Sequence, residues 1–147
     1  MAYKKIVCGV TASAHSQKAA LEAVRLAKED QAELIYVYAI DLDFLSSGKA
    51  GSLTEDVVAD SLRKVGETIL ELAGQIAASQ GVKPRKIARR GRVLDVLKQV
   101  LTEEKADLLV LGHEKRTFFE KALFKGSVED HTQELKAQTG TEVKVIV

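Results

Sequence analysis

Residues 108 to 127, LLVLGHEKRTFFEKALFKGS, decide how this chain reads. Four apolar residues, Leu108 to Leu111, stop at Gly112. A polar, basic loop follows and closes on Gly126 and Ser127, ahead of a helix expected from Val128 to Ala137. A strand, a glycine turn, a loop and a helix start are what the carboxyl edge of an open parallel sheet contains. Ligands of such sheets bind at that edge, where glycine lets backbone approach and a helix start presents unpaired N–H groups to an anion. Gly126 and Ser127 are where a phosphate would sit.

Upstream, the same alternation repeats. Lys5 to Val10, KIVCGV, reads as a central strand ending in the small polar cluster Thr11-Ala12-Ser13. From Ser13, a plausible N-cap, Ala20, Ala23, Val24 and Ala27 recur at helical spacing. Leu34 to Ile40, LIYVYAI, is almost wholly apolar, as a parallel strand covered on both faces requires. The Ser- and Gly-rich stretch Asp41 to Gly51 has no period and is expected to be a loop at the mouth of the site. Next, Val58, Leu62, Val65, Ile69, Leu72 and Ile76 alternate spacings of four and three, the strongest helix pattern in the chain. Ser52 and Glu55 have capping-box spacing at its start, the cost of Gly66 and Gly74 to a helix points to close packing at one of them, and Gly81 offers a left-handed C-cap. Lys83 to Arg90, KPRKIARR, carries five cations and Pro84, which suits an edge strand. Gly91 opens a helix through Val93, Leu94, Leu97, Val100 and Leu101 that closes at Glu104-Lys105. Glu142 to Val147, EVKVIV, is the last strand. The order β-α-β-α-β-α-β-α-β with right-handed crossovers predicts a doubly wound α/β fold with helices on both faces.

The bulk properties narrow the class. With 147 residues, the expectation is one domain spanning 1–147. Lys and Arg number 22 against 21 Asp and Glu, so the overall charge of +1 points to no nucleic-acid or membrane partner. The apolar run after Lys5 is too short for a secretory h-region, and the protein reads as soluble and cytoplasmic. Cys8 has no second cysteine to pair with and reads as a small buried hydrophobe.

Gly112, the basic loop and Gly126-Ser127, together with KKIV near the start, Ala14-His15-Ser16 and Gly91, resemble the universal stress protein family. The resemblance spans nearly the whole chain. It implies a five-stranded parallel sheet in the order 3-2-1-4-5, with a ligand crevice between the ends of the first and fourth strands. It also implies an adenine nucleotide, ATP, held by Thr11, Ile40, Gly91, Gly112, Lys115, Gly126 and Ser127. The match departs from the family pattern at Thr11, where binding members have Asp, and at Lys115, where they have a second glycine. Ten residues rather than nine then precede Gly126, so the implied site is a degenerate one. Lys115 and Arg116 are either a replacement anion clamp, with the ammonium as a point charge, or a solvated face. Gly112-His113 and Phe118-Phe119 look like the subgroup around universal stress protein A, which lacks the glycine pattern. The family also commonly pairs its last strand with a second copy, implying a homodimer through Glu142 to Val147; an uncovered apolar edge would otherwise remain.

Enzyme readings have less support. Lys125-Gly126-Ser127 inverts the Gly-Lys-Ser order of a P-loop. His15, His113 and His131 have no helical i, i+4 spacing and no metal site is assigned to them. His15 lies between Ser13 and Ser16 without a Gly-x-Ser-x-Gly elbow. No catalytic residue is assigned. The expected function is a small regulatory or binding module, with a nucleotide hydrolase or a purely structural partner-binding dimer as the alternatives.

Overall fold

In the structure, a computed structural model, residues 2–11, 14–42, 52–113 and 132–147 are described. The elements are β1 (Lys5–Gly9), α1 (Ala14–Asp30), β2 (Glu33–Ile40), α2 (Ser52–Ser79), β3 (Arg85–Arg90), α3 (Val93–Glu104), β4 (Leu108–Gly112), α4 (Thr132–Thr139) and β5 (Glu142–Ile146). The strands form a five-stranded, all-parallel sheet in the order β3-β2-β1-β4-β5. This is the expected architecture and order. Helix α4 lies at 132–139, whereas 128–131 of the helix expected from Val128 lie outside the described residues.

Strand β1 is central. It pairs with β2 from Lys5 opposite Glu33 to Gly9 opposite Val37, and with β4 from Ile6 opposite Leu108 to Cys8 opposite Val110. Because side chains alternate across a strand, the sheet divides its residues between two cores. Ile6, Cys8, Leu34, Tyr36, Leu108 and Val110 pack with α1 and α2. Val7, Ile35, Val37, Leu109 and Leu111 pack with α3 and α4. Cys8 is fully buried, and desolvation pushes its thiol up to about 12, so it stays protonated at neutral pH, as a packing residue does. Two buried hydroxyls have partners: Tyr36 Oη donates to the carbonyl of Ala20 at 3.1 Å, and Thr141 Oγ1 to that of Ala106 at 2.9 Å.

The two sheet edges differ. The basic strand β3 is an edge, as its sequence predicts, and its cations meet acidic partners. Arg85 reaches Glu104 at 2.7 Å, Lys86 reaches Glu71 at 3.0 Å, Arg89 reaches Glu103 at 2.9 Å and Arg90 reaches Asp56 at 3.3 Å. These exposed pairs contribute little individually, but they neutralise the cationic run locally. At the other edge, Lys144 of β5 reaches Glu22 of α1 at 3.2 Å. Arg25 and then Lys144 hold the Glu22 carboxyl at about 2, below its ordinary 4.5. The stabilisation from that lowered carboxyl is present above its ordinary range and is lost as pH falls toward 2.

Helix α2 meets the sheet with a face other than its most periodic apolar stripe. Its face against the sheet is built from small residues, with Ala59 and Ala77 buried alongside Leu70. The large apolar stripe lies to one side: Val65, Leu72 and Ile76 are 49%, 55% and 47% exposed. Tyr38 of β2 fills the space beside Gly66. Its ring lies so close to Gly66 that a β-carbon there would run into Cδ1 and Cε1 and stand 2.9 Å from Cγ. At Gly74 a β-carbon would meet the flexible end of Lys86, 3.3 Å from Nζ. Gly66→Ala should therefore lower stability by about 1–3 kcal/mol through overpacking. Gly74→Ala should be neutral or raise it by up to about 1 kcal/mol through helix propensity. Urea unfolding followed by circular dichroism compares the two.

Candidate functional site

Every strand points its carboxyl end to the same edge of the sheet. The order reverses at β1, whose neighbours β2 and β4 lead to crossovers on opposite sides. The crevice beside the ends of β1 and β4 is thus the switch point at which open α/β sheets take ligands. Among the expected site residues, Thr11, Ile40, Gly91 and Gly112 all fall at this edge. Lys115, Gly126 and Ser127 lie outside the described residues, as do Ser13 and His131.

Each described residue has a distinct local role. Thr11 is exposed just beyond β1, and its N–H donates to Ser16 Oγ at 2.6 Å, tying the strand end to the first turn of α1. Ser16 is only 4% exposed. Gly112, at the end of β4, meets that same turn from the other side. A β-carbon on it would stand 2.5 Å from the carbonyl carbon and oxygen of His15 and 2.7 Å from Ser16 N, so close backbone approach requires glycine here. The residue after β4 is still tied to β5, since His113 N–H donates to the Ile146 carbonyl at 2.8 Å. The rings of His15 and His113 face each other edge-on across this junction, with centroids 5.8 Å apart and planes at 89°. His15 Nδ1 is buried without a hydrogen-bond partner.

On the β2 side, the fully buried Ile40 accepts from the Gly91 N–H at 3.1 Å. Gly91 has φ +150, which favours glycine, and it turns the chain from β3 into α3. Sequence reasoning missed Asp41. Arg92 occupies the N-cap of α3 and makes no capping bond with its side chain, while Asp41 Oδ2 accepts from the Val93 N–H at 3.1 Å. A carboxylate from the end of β2 therefore occupies the positive end of α3. An arginine at an N-cap was the available signal, because orphan N–H groups need an acceptor from somewhere. A cavity of about 370 Å³ opens beside Thr11 between α1 and α2, lined by Val10, Tyr36, Ile69 and Ala73 among others. Among the described residues, no three His, Cys, Asp or Glu side chains group as metal ligands, and no helix is long and apolar enough to cross a membrane.

Residues 2–132 match the sequence model of the universal stress protein family. The chain belongs to that family. A universal stress protein of Methanocaldococcus jannaschii is 31% identical over 129 residues, 87% of this chain and 74% of the relative. The universal stress protein fold is also seen in UspA of Lactobacillus plantarum, with a TM-score of 0.78 at 20% identity over 100% of this chain and 99% of that one. A universal stress protein solved in complex with cAMP has a TM-score of 0.70 at 27% identity, covering 100% of this chain and 99% of its own.

In this universal stress protein the capping role of Asp41 is directly testable. Asp41→Ala should cost about 1 kcal/mol by leaving the first turn of α3 without its acceptor, and Asp41→Asn should keep most of it. Thermal and urea unfolding of the two variants measure the difference.

Proposed function

We propose that this universal stress protein is a dimeric regulatory module that binds an adenine nucleotide, ATP or a close relative, and releases it without turnover. The observation that carries this reading is the convergence of Thr11, Ile40, Gly91 and Gly112 on one carboxyl edge, at the point where strand order reverses. The similar protein solved with cAMP supports the ligand class. Thr11, Ile40 and Gly91 are assigned to the nucleoside. Gly112, Lys115, Gly126 and Ser127 are assigned to the phosphates, with Lys115 acting as a point charge in place of backbone approach. The site is degenerate relative to the family's glycine pattern, so affinity is expected in the micromolar range rather than below it. The chain is proposed to act as one domain, 1–147, in the cytoplasm.

Calorimetric titration of nucleotide-stripped protein with Mg-ATP should give micromolar binding that Gly126→Asp abolishes. Freshly purified protein, once denatured, should release an adenine nucleotide identifiable by mass spectrometry. Absence of heat at millimolar ATP would remove the nucleotide reading and leave a partner-binding dimer. Mg-dependent ADP production lost in Ser127→Ala would replace it with a hydrolase.

The dimer is assigned to β5. Glu142 N–H donates to the Asp107 carbonyl at 3.3 Å and the Ile146 carbonyl accepts from His113 at 2.8 Å, so residues 142 and 146 direct their backbone toward β4. By alternation Val143 and Val145 direct theirs to the open edge, where a second copy would add its own strand across a two-fold axis. Val145→Pro removes an outward N–H while sparing the β4 ladder. Light scattering should show it as a species of half the parent mass; an unchanged mass would overturn the assignment.

A further inference from the structure

Helix α2 carries two apolar faces; the fold buries one, and of the other packs Ile69 against the core. At 100° per residue the buried small-residue face, Ala59, Gly66, Leu70, Ala73 and Ala77, is centred about 90° from the stripe Val58, Leu62, Val65, Ile69, Leu72 and Ile76. The stripe alternates spacings of four and three across its whole length, the seam of a coiled coil. Such a seam is complete when a second helix lays its own side chains between these. Instead, Val65, Leu72 and Ile76 stand about half out of the protein, joined by Val57 at 59% and, across the groove, Leu21 of α1 at 50%.

Along α2, charge has been kept off the stripe, while Arg25, Lys28 and Glu29 of α1 lie beyond Leu21. Asp60, Arg63, Lys64, Glu67 and Glu71 all fall on the far side of the helix, and the outer flank of the stripe is Ser61, Thr68 and Gln75. In a protein with 29% charged residues, an exposed helical sector of this length without one is the composition of an interface core. Between α1 and α2 the stripe also forms a wall of the cavity of about 370 Å³, with Leu21, Leu72 and Ile76 at its rim. The half-exposed large residues make an apolar patch on the order of 400 Å², a size that marks a working surface on a monomer. That is about half of the ~800 Å² per partner in a standard interface, and the uncharged flank extends it.

We propose that this face pairs α2 with α2 of a second copy of the chain across a two-fold axis, each copy setting Leu72 and Ile76 against the other's stripe and groove. An isologous contact places an uncharged sector against itself without repulsion, and α2 is the helix here with the matching repeat. This surface lies over β2 and β3, whereas β5 is at the opposite edge of the sheet. The two contacts do not compete, and the α2 pairing does not depend on the β5 assignment.

Light scattering on the full chain in the Val145→Pro background separates them. With both contacts engaged at high micromolar concentration the parent is a dimer of dimers, so that variant, at half the parent mass, should remain a dimer through α2, and adding Leu72→Glu with Ile76→Glu should halve its mass again while circular dichroism stays unchanged. A second measurement covers a folding failure of the glutamate variant. Leu72→Cys in otherwise native protein should give an intermolecular disulfide on mild oxidation, several-fold more than Lys98→Cys on α3, because Cys8 is buried and inert. Equal masses with and without the glutamates, or equal cross-linking at the two cysteines, would overturn the proposal, including where the stripe serves a different protein or a lipid surface.

Discussion

The burial of β1 on both faces governs the rest of the structure. Ile6, Val7 and Cys8 have no exposed surface, and a strand so placed must find backbone partners on both sides and helices above and below. Parallel neighbours then force right-handed crossovers, which carry α1 and α2 to one face and α3 and α4 to the other. The crevice follows from that geometry. Where the chain leaves β1 for α1, the neighbouring strand β4 ends at the same level, and the space between them must be closed by backbone. Gly112 against His15 and Ser16, with Ser16 turned back onto Thr11, is that closure.

The electrostatics separate structural charge from the site. The cations of β3 face Glu71, Glu103, Glu104 and Asp56, so the most basic run in the chain is consumed in holding an edge strand between α2 and α3. Asp41 does the same for the start of α3. The carboxyl edge itself is mostly backbone, hydroxyl and imidazole: Thr11, the hydrogen-bonded Ile40–Gly91 turn and the His15–His113 pair.

Helix α2 illustrates how packing can override pattern. Its six-position apolar stripe is the strongest periodic signal in the chain, yet the sheet takes the neighbouring face of alanine and glycine. Tyr38 needs the room that Gly66 leaves, and a bulky stripe in its place would lift the helix off β2. The stripe is left at the side, half in the groove against α1 and half in solvent.

Much of the fold was written in local chemistry. Continuous apolar runs in KIVCGV, LIYVYAI and LLVL could be only buried parallel strands, the cations and Pro84 marked β3 as an edge, and Gly81 marked the end of α2, because each of these depends on a residue and its near neighbours. The need for glycine at 91 and 112 was visible as well, but its reason at Gly112 was not, since His15 lies far away along the chain. The strand order came from family resemblance, as periodicity does not say which strands are adjacent. Asp41 capping α3, the facing histidines and the choice between the two faces of α2 were decided by tertiary structure alone. Each is a contact between segments brought together by the sheet, and the free energy of such a contact has no trace in the spacing of residues along the chain.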